Sequence, residues 1–107
     1  MSIKFRVPHP DSVVKRIGTA LQAYDDKHEQ VEIEIYRRNS VSVRIRVLNP
    51  EFAGKSPAER EDEIWAALER LPEDVVADIS LLLLLTPEEA TSSLASADFD
   101  TPLPSKL

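Results

Sequence analysis

Apolar and polar residues alternate in two stretches of this chain and recur at helical spacing in two others. Val31, Ile33 and Ile35 alternate with Glu32, Glu34 and Tyr36, and Val41, Val43, Ile45 and Val47 alternate with Ser42, Arg44 and Arg46. A period of two sends successive side chains to opposite faces of a strand. The pattern therefore predicts two strands, each with one apolar face on a core and one charged face toward water. Asn39 marks the turn between them, because Asn tolerates a left-handed backbone. A two-residue loop at Arg38 and Asn39 sets Ile35 opposite Ser42 and mixes the faces. A loop of three or five residues, with Ile35 opposite Val41 or Val43, is predicted instead.

Val14, Ile17, Leu21 and Tyr24 form one helical stripe behind Asp11 or Ser12, either of which can cap the first turn. The pattern fades at Asp25-Asp26-Lys27-His28-Glu29. A second helix opens on Ser56-Pro57-Ala58-Glu59, a capping box with proline in the first turn, and carries Ile64, Trp65, Leu68 and Leu71 on its apolar side. Pro72 ends it, and Glu73 to Asp78 is long enough for one more helical turn. Ile79 to Leu85 then reads as a buried strand, with Ile79, Leu81, Leu83 and Leu85 expected toward the helices and Leu82 and Leu84 toward the other face. Thr86-Pro87-Glu88-Glu89 repeats the cap signature of the second helix. At the N-terminus, Ile3, Phe5 and Val7 alternate with Lys4 and Arg6 ahead of Pro8 and Pro10, so residues 1–10 are read as an added edge strand or a disordered arm. From Ala90 the chain is rich in Ser, Ala, Asp and Pro, and 91–107 is expected to be a disordered tail.

These elements give one α+β domain over 11–90, with the order helix, strand, strand, helix, strand. The second helix serves as a crossover, which places the strands it joins in parallel. The expected architecture is a two-layer sandwich: a mixed sheet with helices on one face. If the N-terminal strand lies inside the sheet, the order becomes the ferredoxin-like βαββαβ.

Phe52-Ala53-Gly54-Lys55-Ser56, then Arg60, then a helix, then a strand ending in Leu85-Thr86-Pro87-Glu88-Glu89 resemble the BolA family, and Tyr36-Arg37-Arg38-Asn39 resembles the hairpin of some members. The resemblance spans roughly Val13 to Ala90. It implies an αββαβ fold, similar to the class II KH fold, and a [2Fe–2S] cluster shared with a monothiol glutaredoxin. The chain departs from the family at the ligands. Asp78 stands where the family has its cluster histidine, and the hairpin loop from Arg37 to Ser40 holds no Cys or His. Such clusters need thiolate or imidazole donors, so no cofactor is expected.

The 107 residues suit one domain, and 42% of them are hydrophobic. The absence of cysteine removes disulfides, thiolate sites and Cys nucleophiles. With two glycines, Gly18 and Gly54, no Gly-rich phosphate loop is possible. No Ser–His–Asp order appears, and an enzyme is not predicted. No apolar run approaches the length of a membrane span, and no signal-peptide core precedes the domain, which reads as cytoplasmic.

His9 and His28 lack metal-binding partners at close spacing and read as ordinary surface residues. Glu59, Glu61, Asp62 and Glu63 read as a solvated face favoured by the helix dipole. Arg37, Arg38, Arg44 and Arg46 are the candidate nucleic-acid contacts of a KH-like reading, although a net charge of −6 disfavours phosphate binding and Arg44 is expected opposite Glu32 or Glu34. Leu82 and Leu84, on a face otherwise polar, are the candidate partner surface unless the N-terminal strand, the final helix or tail residues Leu94, Phe99 and Leu103 cover them. The expected function is a non-enzymatic binding or regulatory module acting through protein contact. Its partner is glutaredoxin-like, as the resemblance implies, or a second copy of the chain.

Overall fold

A computed structural model of the protein describes residues 3–6 and 10–101. Val7, His9 and Leu103, and the sequence readings that fall on them, lie outside the described residues.

The Asp11 carboxylate accepts from Val14 N at 2.9 Å and starts helix α1, Ser12–Asp26. Val14, Ile17 and Leu21 from its stripe are fully buried. Strand β2, Glu32–Asn39, follows, then an antiparallel β3, Ser42–Leu48. Asn49 caps a single 3-10 turn at Pro50–Phe52. The Ser56 capping box opens helix α2, Pro57–Leu68, and both of its reciprocal bonds are formed. A short α3, Glu73–Asp78, leads into strand β4, Ile79–Leu85. The second capping box, at Thr86 and Glu89, opens α4, Pro87–Ser92.

The four-stranded sheet has the order β1-β2-β3-β4, with β1, Ile3–Phe5, at one edge and parallel to β2. The N-terminal strand therefore joins the sheet, but at its rim; the ferredoxin-like alternative requires it inside. Gly18 makes this docking possible: a Cβ there would lie 2.6 Å from Phe5 Cζ. Strands β3 and β4 pair in parallel across the α2 crossover. Helices α1 and α2 cover one face. The core there joins Ile33 and Ile35 of β2, Val43, Ile45 and Val47 of β3, and Ile64 and Leu68 of α2, all fully buried. Each such aliphatic side chain contributes about 1.5–3 kcal/mol against exposure. This is the two-layer α+β sandwich that the patterning predicts.

The hairpin register differs from the expected one. Ile35 pairs with Ile45, not Val41 or Val43, and Arg44 lies opposite Tyr36 while Arg46 faces Glu34. The turn itself is the two-residue Ser40–Val41 step, and a bulge between Arg37 and Asn39 supplies the odd residue that keeps apolar opposite apolar. Among the described residues no non-glycine has positive φ, so Asn39 does not act through a left-handed backbone. Its Oδ1 accepts from Val41 N at 2.9 Å, an Asx turn.

The expected disordered tail is a helix through Asp100. Ser93 caps α5, Leu94–Asp100, and Phe99 is fully buried against the far face of the sheet. The physical reason is the burial of Phe99, with Asp98 and Asp100 beside it to pair the arginines of that face.

Gly54 has φ +81° and links the 3-10 turn to the Ser56 cap, with open space where a Cβ would stand. Gly54→Ala is therefore expected to cost about 1 kcal/mol, from backbone conformation alone. Urea denaturation checks this; a loss several times larger would place a packing contact at that position.

Candidate functional site

The leucine strand sets the outcome for Leu82 and Leu84. In β4, Ile79 pairs with Val43, but Leu81 pairs with Arg44, so Ser80 is an extra residue in the ladder. This bulge reverses the alternation after Ile79. Leu82 then lies beside Ile45 and Leu84 beside Val47, both on the core face. Leu84 is 8% exposed and belongs to the core, with Leu82 and Ile79 packed against it. Of the candidate partner residues, Leu84 is thus a core residue and Leu82 packs against the core. Leu81, Leu83 and Leu85 instead share the far face with Arg44, Arg46 and Leu48, and all three are half-buried.

The far face is where the basic patch lies, and α5 covers it. Arg46 is 7% exposed. It donates to Glu34 Oε1 at 2.7 Å, to Ser96 Oγ at 2.8 Å and to Asp100 Oδ2 at 3.1 Å, and its guanidinium stands 4.7 Å from the Phe99 ring centroid. Arg44 donates to Asp98 Oδ2 at 2.8 Å and to the Tyr36 hydroxyl at 3.3 Å. Arg6 donates to the Phe99 carbonyl at 3.1 Å and pairs with Asp100 at 3.3 Å. The Tyr36 hydroxyl donates to the same carbonyl at 3.0 Å, and its ring meets Phe99 edge-on with centroids 4.8 Å apart. Asp98 and Asp100 therefore pair Arg44 and Arg46 within the chain.

Arg37 is held elsewhere. Its Nε donates to Asp11, and its Nη2 donates to Asp78 Oδ2 at 3.1 Å. It also bonds the turn carbonyls of Asn39 and Ser40. The bond from Arg37 keeps the Asp11 carboxyl below its ordinary pKa. Arg38, half-buried near the hairpin tip, is not a free cation either. Asp78, at the position that the resemblance matches to the cluster histidine, is thus ion-paired with Arg37 from the hairpin segment Arg37 to Ser40, where the second ligand would fall. A guanidinium offers no lone pair to a metal, so these residues do not fit a cluster. Among the described residues no group of three or more His, Cys, Asp or Glu is placed to hold a metal ion.

His28 is less exposed than the sequence suggests. Its ring stacks on Tyr24 with centroids 4.3 Å apart, and Nδ1 lies 2.9 Å from Glu51 Oε2. Asn49, 1% exposed, donates to the Tyr24 hydroxyl at 2.8 Å and ties α1 to the end of β3. Of the acidic cluster, Glu59 closes the capping box and Glu63 pairs with Lys55 at 2.8 Å. A groove of about 340 Å³ between α1 and α2 has alanines for a floor and charges of both signs at its rim, Lys27, Glu63 and Arg70.

The sheet's edges differ. β1 is three residues long and carries Lys4, features that blunt an edge. β4 is seven residues long and carries no charge. Asn49 N donates to Leu85 O at 2.9 Å, so the amides of Leu81, Leu83 and Leu85 point to β3 and those of Leu82 and Leu84 point outward. Arg60 takes the outward Leu84 carbonyl at 3.0 Å. Among the described residues no strand lies beside the rest of that edge.

No described helix is long and apolar enough to cross a membrane. No protein-family model matches this chain, and no curated protein or solved structure is measurably similar to it.

Proposed function

We propose that this protein is a non-enzymatic binding and regulatory module, BolA-like in build, that works through protein–protein contact and without the family's iron–sulfur chemistry. The observation that carries this reading is the β4 edge: outward amides at Leu82 and Leu84, no charged residue over the strand, and half-buried Leu81, Leu83 and Leu85 on the adjoining face. An uncharged strand edge with apolar flanks takes a further strand readily. The Arg37–Asp78 ion pair supports the second half of the reading, since it engages Asp78, which stands at the matched histidine position, with a residue of the hairpin segment that offers no Cys or His.

Phosphate binding by Arg37, Arg44 and Arg46 would have to compete with carboxylates of the same chain. Arg44 and Arg46 reach Asp98 and Asp100 of the same chain, and Arg37 reaches Asp11 and Asp78.

Purification of the tagged chain from its own cells, with mass and ultraviolet–visible spectra, tests the proposal. The expected result is a protein held in fixed stoichiometry by the wild type and lost with Leu83→Lys, with no visible cluster absorbance. A glutaredoxin retained together with cluster absorbance would overturn it.

A further inference from the structure

We infer that the β4 edge takes the β4 edge of a second copy of this chain, joining two sheets into one continuous eight-stranded sheet. This rests on the reading of β4 as the contact surface and names its occupant.

Three features of the chain select a second copy. The first is self-complementarity. In an antiparallel register centred on Leu82, Leu82 faces Leu82 of the other copy and the two exchange both backbone bonds, while the Leu84 carbonyl stays with Arg60 and takes no part in the seam. Leu81 of one copy faces Leu83 of the other on the same side of the sheet, and no charge meets a charge anywhere in Ile79–Leu85.

The second is closure. Among the described residues the sheet has one long uncharged edge, and the opposite edge is short and carries Lys4. Pairing β4 with β4 consumes that edge in both copies. The assembly stops at two and does not propagate as a fibre.

The third is the flank above the edge. Glu63, Ala66 and Ala67 of α2 line the groove shared with α1. At 100° per residue, Trp65 falls on the flank of α2 opposite that groove, away from α1, and packs partly against the core. It is half-buried, and it is the chain's single tryptophan. Across the two-fold axis the two Trp65 flanks approach each other, which supplies aromatic area beyond the seam of backbone bonds.

The test uses the full chain and needs no known ligand. Sedimentation equilibrium is expected to give a dimer for the wild type and a monomer for Leu83→Lys, whose ammonium would lie opposite Leu81 of the other copy. Circular dichroism establishes that the variant is folded. Two readouts on the wild type stand independently of any variant. Trp65 emission should move to longer wavelength on dilution, and the Leu82 amide should exchange hydrogen faster as the dimer dissociates.

A wild type that stays monomeric at about 100 μM, with Leu82 exchanging at a concentration-independent rate, would overturn the dimer. If Leu83→Lys then still abolished capture of another protein, the binding reading would stand and only the occupant would be wrong. If it abolished nothing, both would fail. A dimer that survives Leu83→Lys with an unprotected Leu82 amide places the contact on another face and overturns the inference.

Discussion

Phe99→Ala is expected to cost about 3 kcal/mol and to release α5 from the sheet, since truncating a fully buried phenylalanine typically costs ~3–5 kcal/mol. Phe99 is 0% exposed, sits against Tyr36 and lies beneath the guanidinium groups of Arg6 and Arg46. The helix it anchors spans only Leu94–Asp100, too short to persist alone. Loss of the ring therefore weakens the whole strap. Once α5 leaves, Arg46 loses Ser96 and Asp100, and Arg44 loses Asp98. The far face then presents Arg6, Arg44 and Arg46 to solvent. Urea denaturation gives the stability change, and hydrogen exchange of the amides from Ala97 to Thr101 gives the local one. A loss under about 1 kcal/mol with α5 amides as protected as before would show that the ion pairs alone hold the helix, against the small net worth of exposed pairs. Leu94→Ala is the internal control: that side chain is 88% exposed and its truncation should leave stability unchanged.

The fold was legible where pattern and cap chemistry agreed. The stripe of α1, the two capping boxes and the alternation in β2 and β3 each specify one periodicity and one start point, and the elements form where those signals place them. The site was less legible, for identifiable reasons. Five consecutive leucines are unchanged by a one-residue slip, so hydrophobicity carries no information about which of them face the core. The bulge at Ser80 decided it, and the signal was the lone polar residue at the start of the strand. The register of the hairpin was misplaced for a related reason, because the odd residue sits in a bulge at the end of β2 and not in the turn.

The tail was misread because composition outweighed position. Its Ser, Ala and Asp content resembles that of a solvated segment. Yet Asp98 and Asp100 flank one aromatic, Phe99, and their charge is opposite to that of Arg44 and Arg46 on β3. That opposition of sign around a buried ring marks the segment as a cover for the basic face. It also explains how a sheet face lined with arginine coexists with a net charge of −6: the acidic residues that set the total include those paired with the patch.

Arg60→Met is expected to cost about 3 kcal/mol, and Glu89→Gln far less, although the two side chains form one ion pair; the contrast lies in what each leaves behind. Arg60 is 8% exposed and uses its whole set of donors. Nε reaches the Lys55 carbonyl at 3.1 Å, Nη1 reaches the Leu84 carbonyl at 3.0 Å and Glu89 Oε1 at 2.7 Å, and Nη2 reaches the Phe52 carbonyl at 2.9 Å and Glu89 Oε2 at 3.1 Å. The bonds to Leu84 and Phe52 are buried, and each orphaned carbonyl costs ~1–3 kcal/mol. The Glu89 side chain is 44% exposed and finds water when its partner is lost. Arg60 therefore fastens the loop after β3 and the end of β4 to α2, and the ion pair is the lesser part of that role. The pH dependence separates the two contributions. The bond from Arg60, with the Thr86 amide behind it, lowers the Glu89 pKa from 4.5 to about 2. A carboxyl lowered on folding adds stability above its unfolded value and loses it as pH falls through the folded one. The gap between wild type and Arg60→Met should narrow as pH falls from 4.5 toward 2, yet not close, because the carbonyl bonds do not titrate. Unfolding free energies of both chains across that range check this. A gap independent of pH would mean that Glu89 contributes nothing through Arg60, and a gap that vanishes would mean that the carbonyls do not need it.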